Sequence, residues 1–145
     1  KQFKYYPFVN VALWLAKAIF VDRGNHGKAM AASSQAVQQI QRDHSALFVF
    51  PEGTRSRLAD KLLPFKKGAF HLAQQAGVPI VPVVVAPFDG SIYRRGDLSY
   101  PGGTIYVKVL KPIPTKDLKP EEIGALAEST RELMLAQIVE FTKSN

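Results

Sequence analysis

The chain of 145 residues contains no cysteine, which excludes a disulfide framework, thiolate metal ligation and a thiol nucleophile. Long apolar runs are also missing. The longest stretch free of Asp, Glu, Lys and Arg, from Gly68 to Phe88, carries His71, Gln74, Gln75, Gly77 and three prolines, so nothing reads as a membrane span. No succession of basic, apolar and small residues at the start resembles a signal peptide, and there is neither an internal repeat nor a low-complexity segment. The chain opens at Lys1, from which we expect a cut within a longer protein rather than a native terminus.

What remains is a chain that is 46% hydrophobic, enough for one core of ordinary size, and 1–145 is expected to form a single domain. Nineteen Lys and Arg oppose twelve Asp and Glu, a net charge of +7. The excess is confined to residues 1–67, which hold 11 basic and 4 acidic side chains, against 8 and 8 in residues 68–145. Such asymmetry suits an anionic partner for the first half: a phosphorylated small molecule, an anionic membrane surface or nucleic acid. A merely solvated basic face is the plain alternative.

Helical and strand periods alternate along the chain. Apolar residues crowd Pro7 to Ile19 as in a helix buried on most sides, and Ile19 to Val21 reads as a short strand. Asn25 can cap a helix whose Ala29, Ala32, Ala36, Val37 and Ile40 return at three- and four-residue steps. Ala46 to Phe50 is a continuous apolar run of strand length, expected to be covered on both faces. Gly68 to Ala76 reads as a helix closed by Gly77, and Val78 to Ala86 as a buried strand interrupted by Pro79 and Pro82. Thr104 to Leu110 alternates as a strand nearer a sheet edge. A last helix opens at Pro120, with a stripe of Ile123, Leu126, Ala127, Thr130, Leu133, Met134, Ile138 and Phe141. Pro87 to Gly103 is the one long loop. The fold class is therefore α/β, a layered domain with a mostly parallel or mixed central sheet flanked by helices.

The most informative stretch is Phe50-Pro51-Glu52-Gly53-Thr54-Arg55-Ser56, at the end of an expected strand, where α/β folds place ligands. Gly53 permits close backbone approach, Thr54 and Ser56 offer hydroxyls, and the Arg55 fork matches phosphate oxygens. The segment reads as a phosphate cradle, or as an ordinary capped turn, since the same residue types dominate turns.

The string Phe50 to Ser56 resembles the third signature block of the glycerolipid acyltransferase family, whose members acylate glycerol-3-phosphate and lysophosphatidic acid. Phe20-Val21-Asp22-Arg23 resembles its second block and Val78 to Val83 its fourth. Leu63-Pro64-Phe65-Lys66-Lys67-Gly68-Ala69-Phe70 resembles a connector of the lysophosphatidate-specific branch. The blocks stand in the family's order and spacing over essentially the whole chain. One departure bears on mechanism: the family's first block is a histidine with an aspartate five residues on, read as general base and orienting carboxylate. Here the positions five after His26, His44 and His71 hold Ala31, Val49 and Ala76. The resemblance implies an N-terminally truncated acyltransferase domain with no catalytic residue in this chain, the base lying upstream of Lys1.

Acyl transfer from a coenzyme A thioester to a glycerol hydroxyl needs a base, donors for the tetrahedral oxyanion and a clamp on the acceptor phosphate. The resemblance implies that Arg23 and Arg55 form the clamp, with Glu52, Gly53, Thr54 and Ser56 beside them. Glu52 is expected to orient an arginine or bind a glycerol hydroxyl, with an N-cap or loop salt bridge as its plain alternative. Lys66 and Lys67, before the helix opening at Gly68, can hold an anion at a helix N-terminus. Lys1 and Pro82 are weaker candidates. Lysophosphatidate acylators keep Thr-Arg-Ser in the third block, and an added arginine suits a phosphate monoester that lacks a choline cation.

These features imply a 1-acylglycerol-3-phosphate O-acyltransferase of phospholipid biosynthesis that forms phosphatidic acid. Its partners are lysophosphatidic acid, acyl-CoA as co-substrate and a membrane surface, with no permanently bound cofactor and no metal. The endoplasmic reticulum membrane, with the domain facing the cytoplasm, is the expected location, and Tyr5 to Trp14 is either an interfacial anchor or core. The alternatives are a non-catalytic module binding lipid phosphate or a membrane surface, or an acyltransferase using another lysophospholipid or glycerol-3-phosphate. Nucleic-acid binding is not expected, because no RNA-binding or helix-turn-helix signature accompanies the charge.

Overall fold

The computed structural model describes residues 26–54, 61–87, 99–100 and 102–143. The chain divides into two units, Lys1–Leu47 and Phe48–Asn145. In the first, helix α1 spans His26–Asp43. Ala32, Ala36 and Ile40 recur at four-residue steps and are its buried face, as the helical period requires. It ends at His44, which has a positive φ of 47°. The expected cap Asn25, the segment Pro7 to Ile19 and the strand Ile19 to Val21 lie outside the described residues.

The second unit is built on two helices and a strand pair. Helix α2 spans Gly68–Ala76, with the limits expected from sequence. Gly77 closes it at φ 68°. The amide of Gly77 donates to the Gln74 carbonyl and that of Val78 to the Ala73 carbonyl, both at 3.1 Å, the two bonds of a Schellman stop. Strand β1 (Val83–Val85) pairs antiparallel with β2 (Val107–Val109), setting Val83 against Val109, Val84 against Lys108 and Val85 against Val107. Ile80 and Ile113 exchange both amide bonds in an isolated bridge. The Val78 to Ala86 run is thus a strand in two pieces. The physical cause is Pro79 and Pro82, which have no amide to give to a ladder. Pro82 is buried and contributes only its carbonyl, 2.9 Å from the Leu110 amide.

The described strands form a two-stranded antiparallel pair, and no parallel pairing of the expected mostly parallel or mixed sheet occurs among the described residues. An antiparallel pair needs no helical crossover; most of the expected loop Pro87 to Gly103 lies outside the described residues. All of β2 is exposed, as an edge strand is. The expectation of a buried strand over Ala46 to Phe50 is corrected: the segment is not a strand, and Phe48 and Phe50 are 71% and 76% exposed. Strand structure requires a ladder partner as well as apolar residues. Among the described residues the segment has no ladder partner, and the rings of Phe48 and Phe50 pack edge-to-face on each other at 5.1 Å.

After a 3-10 turn at Pro120–Glu122, helix α3 spans Ile123–Lys143. The Glu122 carboxylate reaches back to the Lys119 amide at 2.7 Å, fixing the first turn. Ile123, Ala127, Thr130, Gln137 and Ile138 are buried, whereas Leu133, placed in the stripe from sequence, is 46% exposed. At ~100° per residue Leu133 lies roughly 90° round from the centre of the buried arc, while Gln137 falls within it. Phe70, Ile123 and Ala127 form the core, with Phe65, Ala69, Ile80, Leu118 and Leu126 packed against them. Burial of Phe70 or Ile123 stabilises the fold by about 1.5–3 kcal/mol each. The Thr115 hydroxyl, 2.7 Å from the Val78 carbonyl and 3.2 Å from that of Ala73, ties the end of α2 to the segment after β2.

Candidate functional site

The turn at Pro51–Thr54 is held by the connector that follows it in sequence. Gly53 sits at φ 70° and donates its amide to the Phe50 carbonyl at 3.3 Å. That left-handed conformation is one that side chains with a Cβ adopt at a cost. The Lys66 amide donates to the Pro51 carbonyl at 2.7 Å, and the Leu63 amide donates to Glu52 Oε2 at 2.9 Å. A Cβ on Gly53 would lie 3.3 Å from Lys66 Cγ, so the aliphatic stem of Lys66 lies along the glycine. The result is a backbone turn with an exposed lysine and the exposed Thr54 at its rim.

The connector is itself anchored. Phe65 packs on the core and its ring lies against that of Phe70, with centroids 6.3 Å apart. The Leu62 carbonyl accepts a hydrogen bond from Arg131 Nη1 at 3.3 Å, a residue of α3. Arg131 in turn donates through Nε and Nη2 to Glu128 Oε1 at 3.0 and 2.5 Å. These bonds hold the Glu128 carboxyl below its ordinary value and raise the Arg131 guanidinium. Sequence gave no signal for Arg131, because a Glu and an Arg three apart on a helix are an ordinary surface pair. Leu63 opens the connector block named from sequence, but its contact here is made by its backbone amide, which the block does not reveal.

Glu52, Gly53 and Lys66 are therefore brought together. Glu52 was expected to orient an arginine or meet a glycerol hydroxyl, and its described contact is with a backbone amide, the role of a loop brace. Lys67 goes elsewhere. Its carbonyl accepts the His71 amide at 2.9 Å, and its Nζ lies 3.2 Å from where a Cβ on Gly124 would stand, over the first turn of α3. Pro82 sits in the strand pairing. Lys1, Arg23, Arg55 and Ser56 lie outside the described residues, and among the described residues no helix is long and apolar enough to cross a membrane.

The site is thus a glycine turn tied to the connector through Glu52 and Pro51, with the Lys66 side chain alongside. Comparison with known proteins gives this turn a context. Residues 1–86 match the acyltransferase family, and the turn falls within that span. The chain is 43% identical over 125 residues to the 1-acyl-sn-glycerol-3-phosphate acyltransferase alpha of Ovis aries, covering 86% of this chain and 43% of that protein. It is 39% identical over 141 residues to the 1-acyl-sn-glycerol-3-phosphate acyltransferase of Saccharomyces cerevisiae, covering 97% and 46%. Among solved structures, the 1-acyl-sn-glycerophosphate (LPA) acyltransferase PlsC from Thermotoga maritima superposes with a TM-score of 0.73 at 26% identity, over 97% of this chain and 54% of that one. The chain thus spans about half the length of the relatives it matches. With more than half of its residues inside the family match, the chain belongs to the acyltransferase family.

Proposed function

We propose that this chain is the acceptor-binding part of an acyl-CoA:lysophosphatidate acyltransferase, which forms phosphatidic acid in phospholipid biosynthesis. The observation that carries the reading is the 43% identity to a 1-acyl-sn-glycerol-3-phosphate acyltransferase, over a region that includes the braced turn at Pro51–Thr54. In the reaction, the acceptor hydroxyl oxygen forms an ester bond to the thioester carbonyl carbon. The carbon–sulfur bond breaks, and the hydroxyl proton passes through a base to the leaving thiol. The family resemblance assigns the base to a histidine with an aspartate five residues on; His26, His44 and His71 lack that partner, and in this proposal the base comes from outside these 145 residues.

Arg23 and Arg55 clamp the acceptor phosphate, with Ser56, Thr54 and the Gly53 turn beside them. Glu52 supports this clamp by holding the turn to Leu63. Lys66 adds a positive charge at the rim, and Lys1 and Lys67 serve as more distant anion contacts. The described antiparallel pair belongs to a larger layered sheet, with 1–145 forming one acyltransferase domain. The protein works at a membrane surface, the endoplasmic reticulum facing the cytoplasm, with acyl-CoA as co-substrate and without a resident cofactor.

The test is turnover by the full-length protein. Supplied with acyl-CoA and a panel of acceptors, it is expected to acylate lysophosphatidic acid in preference to lysophosphatidylcholine and glycerol-3-phosphate. Arg23→Lys and Arg55→Lys keep charge but lose the bidentate fork. They should depress transfer to the phosphorylated acceptor and leave thioester hydrolysis nearly unchanged. Preference for a choline-bearing acceptor, or equal loss of both activities in the arginine variants, would overturn the assignment. Binding of lysophosphatidate without any transfer would instead support a non-catalytic lipid-phosphate module.

A further inference from the structure

We propose that Arg131 is a positioning residue for the acceptor site, acting from α3 through the 61–66 connector onto the Pro51–Thr54 turn. The inference rests on the acyl-transfer reading above. Arg131 lies 69 residues from its acceptor Leu62 and outside the family match at 1–86, yet it begins an unbroken line of contacts. Its Nη1 holds the Leu62 carbonyl at 3.3 Å. The next amide, Leu63, holds Glu52 Oε2 at 2.9 Å. Three residues on, the Lys66 amide holds the Pro51 carbonyl at 2.7 Å, and the Lys66 stem lies along Gly53. The turn thus takes its position from the connector at two points, Glu52 and Pro51.

What fixes the connector is its core side chain Phe65 at one end and Arg131 at the other. The Arg131 side chain is 23% exposed, so it is partly shielded where it meets Leu62. Glu128 occupies the Nε and Nη2 edge of the guanidinium, which leaves Nη1 aimed at the carbonyl. A planar fork can serve both partners at once, and a lysine ammonium on a flexible stem cannot reproduce that arrangement. Loosening Leu62 releases Leu63, and Glu52 then loses the donor that sets the height of the turn. The consequence falls on the acceptor, whose phosphate meets this turn, rather than on the thioester.

The experiment uses the full-length protein with Arg131→Ala, Arg131→Lys and Glu128→Gln. Arg131→Ala is expected to lower kcat/KM for lysophosphatidic acid by about tenfold, the size expected for one lost hydrogen bond to a charged donor. KM for acyl-CoA should stay within about twofold. Arg131→Lys should recover part of the loss, and Glu128→Gln should cause a smaller loss in the same direction. Combined with Glu52→Gln, Arg131→Ala should cost less than the sum of the two, because both act through Leu63.

Hydrogen exchange of peptides covering residues 50–66 reads the brace without turnover and should quicken in Arg131→Ala. Unchanged exchange there, or equal KM increases for both substrates, would overturn the proposal. So would a loss of melting temperature with kcat/KM intact. If exchange quickens as expected but the wild-type protein transfers no acyl group to lysophosphatidate, the brace stands and the acyl-transfer reading fails.

Discussion

Replacing Gly53 by alanine separates the two costs built into the candidate turn. The first is conformational: at φ 70° a residue with a Cβ loses about 1–2 kcal/mol relative to its right-handed form. The second is steric: the new Cβ would stand 3.3 Å from Lys66 Cγ. That atom belongs to a flexible stem and can give by a few tenths of an ångström, so this cost is on the order of 0.5 kcal/mol. Gly77 supplies the control, because its φ is 68° and no atom lies within 4 Å of its Cβ position. Gly77→Ala therefore measures the conformational cost alone. In urea and thermal unfolding, Gly53→Ala should lose about 1.5–2.5 kcal/mol and Gly77→Ala about 1–2 kcal/mol. At roughly 2–4 °C per kcal/mol the larger loss is a fall of about 3–10 °C in Tm. Lys66→Ala should remove the difference between the two glycine sites and leave the common part. Gly53→Asn should be milder than Gly53→Ala, because asparagine enters the left-handed region more readily. If Lys66→Ala restored the whole Gly53→Ala loss, the backbone argument would be wrong. A Gly53→Ala variant as stable as wild type would refute both parts.

The two buried threonines should respond in opposite directions to valine. Thr115→Val removes the hydroxyl that holds the Val78 and Ala73 carbonyls and should cost about 1–3 kcal/mol in urea unfolding. Thr130→Val removes a buried hydroxyl without a hydrogen-bond partner among the described residues and should be neutral or stabilising. Glu128 is held below its ordinary value of 4.5 by the Arg131 hydrogen bond, so its contribution to stability is present above that value and is lost as pH falls through the lower folded value. Glu128→Gln should therefore lose at pH 7 the small contribution of an exposed pair and flatten the acid limb of a stability–pH curve by the same amount, and an unchanged acid limb would contradict the pairing. Gly124→Ala should be neutral or should stabilise α3 by up to about 1 kcal/mol, because what stands in the way is the far end of the flexible Lys67 side chain, its Nζ and Cε. A clear fall in Tm would show that Lys67 is fixed over that turn.

Local signals carried the helices. Gly68 to Ala76 was legible because Gly77 marks its stop, and α1 and α3 because their apolar residues return with the helical period. Sheet pairing was less legible, since a strand depends on a partner distant in sequence. Ala46 to Phe50 has strand composition and no ladder among the described residues, whereas Val83–Val85 found its partner at Val107–Val109. Leu133 shows the same limit within a helix, being apolar and adjacent to the stripe yet turned out of it. At the candidate site, the motif at Phe50 to Ser56 was visible as residue types, and Gly53 stands at a positive φ that its residue type permits. The brace was not visible, because the Leu63 amide and Leu62 carbonyl are backbone groups common to every residue. Arg131, their anchor, is separated from the motif by most of the second unit.

Acceptor-dependent acyl transfer by the purified full-length protein is the decisive measurement, followed by mass spectrometry of the lipid product together with titration of released coenzyme A thiol. With lysophosphatidic acid as acceptor, phosphatidic acid and free thiol should appear in equal amounts, and Gly53→Ala should slow both. Thiol released without phosphatidic acid, or acyl groups found on a choline-bearing lysolipid in preference to lysophosphatidate, would contradict the assignment of the Pro51–Thr54 turn to a lysophosphatidate site.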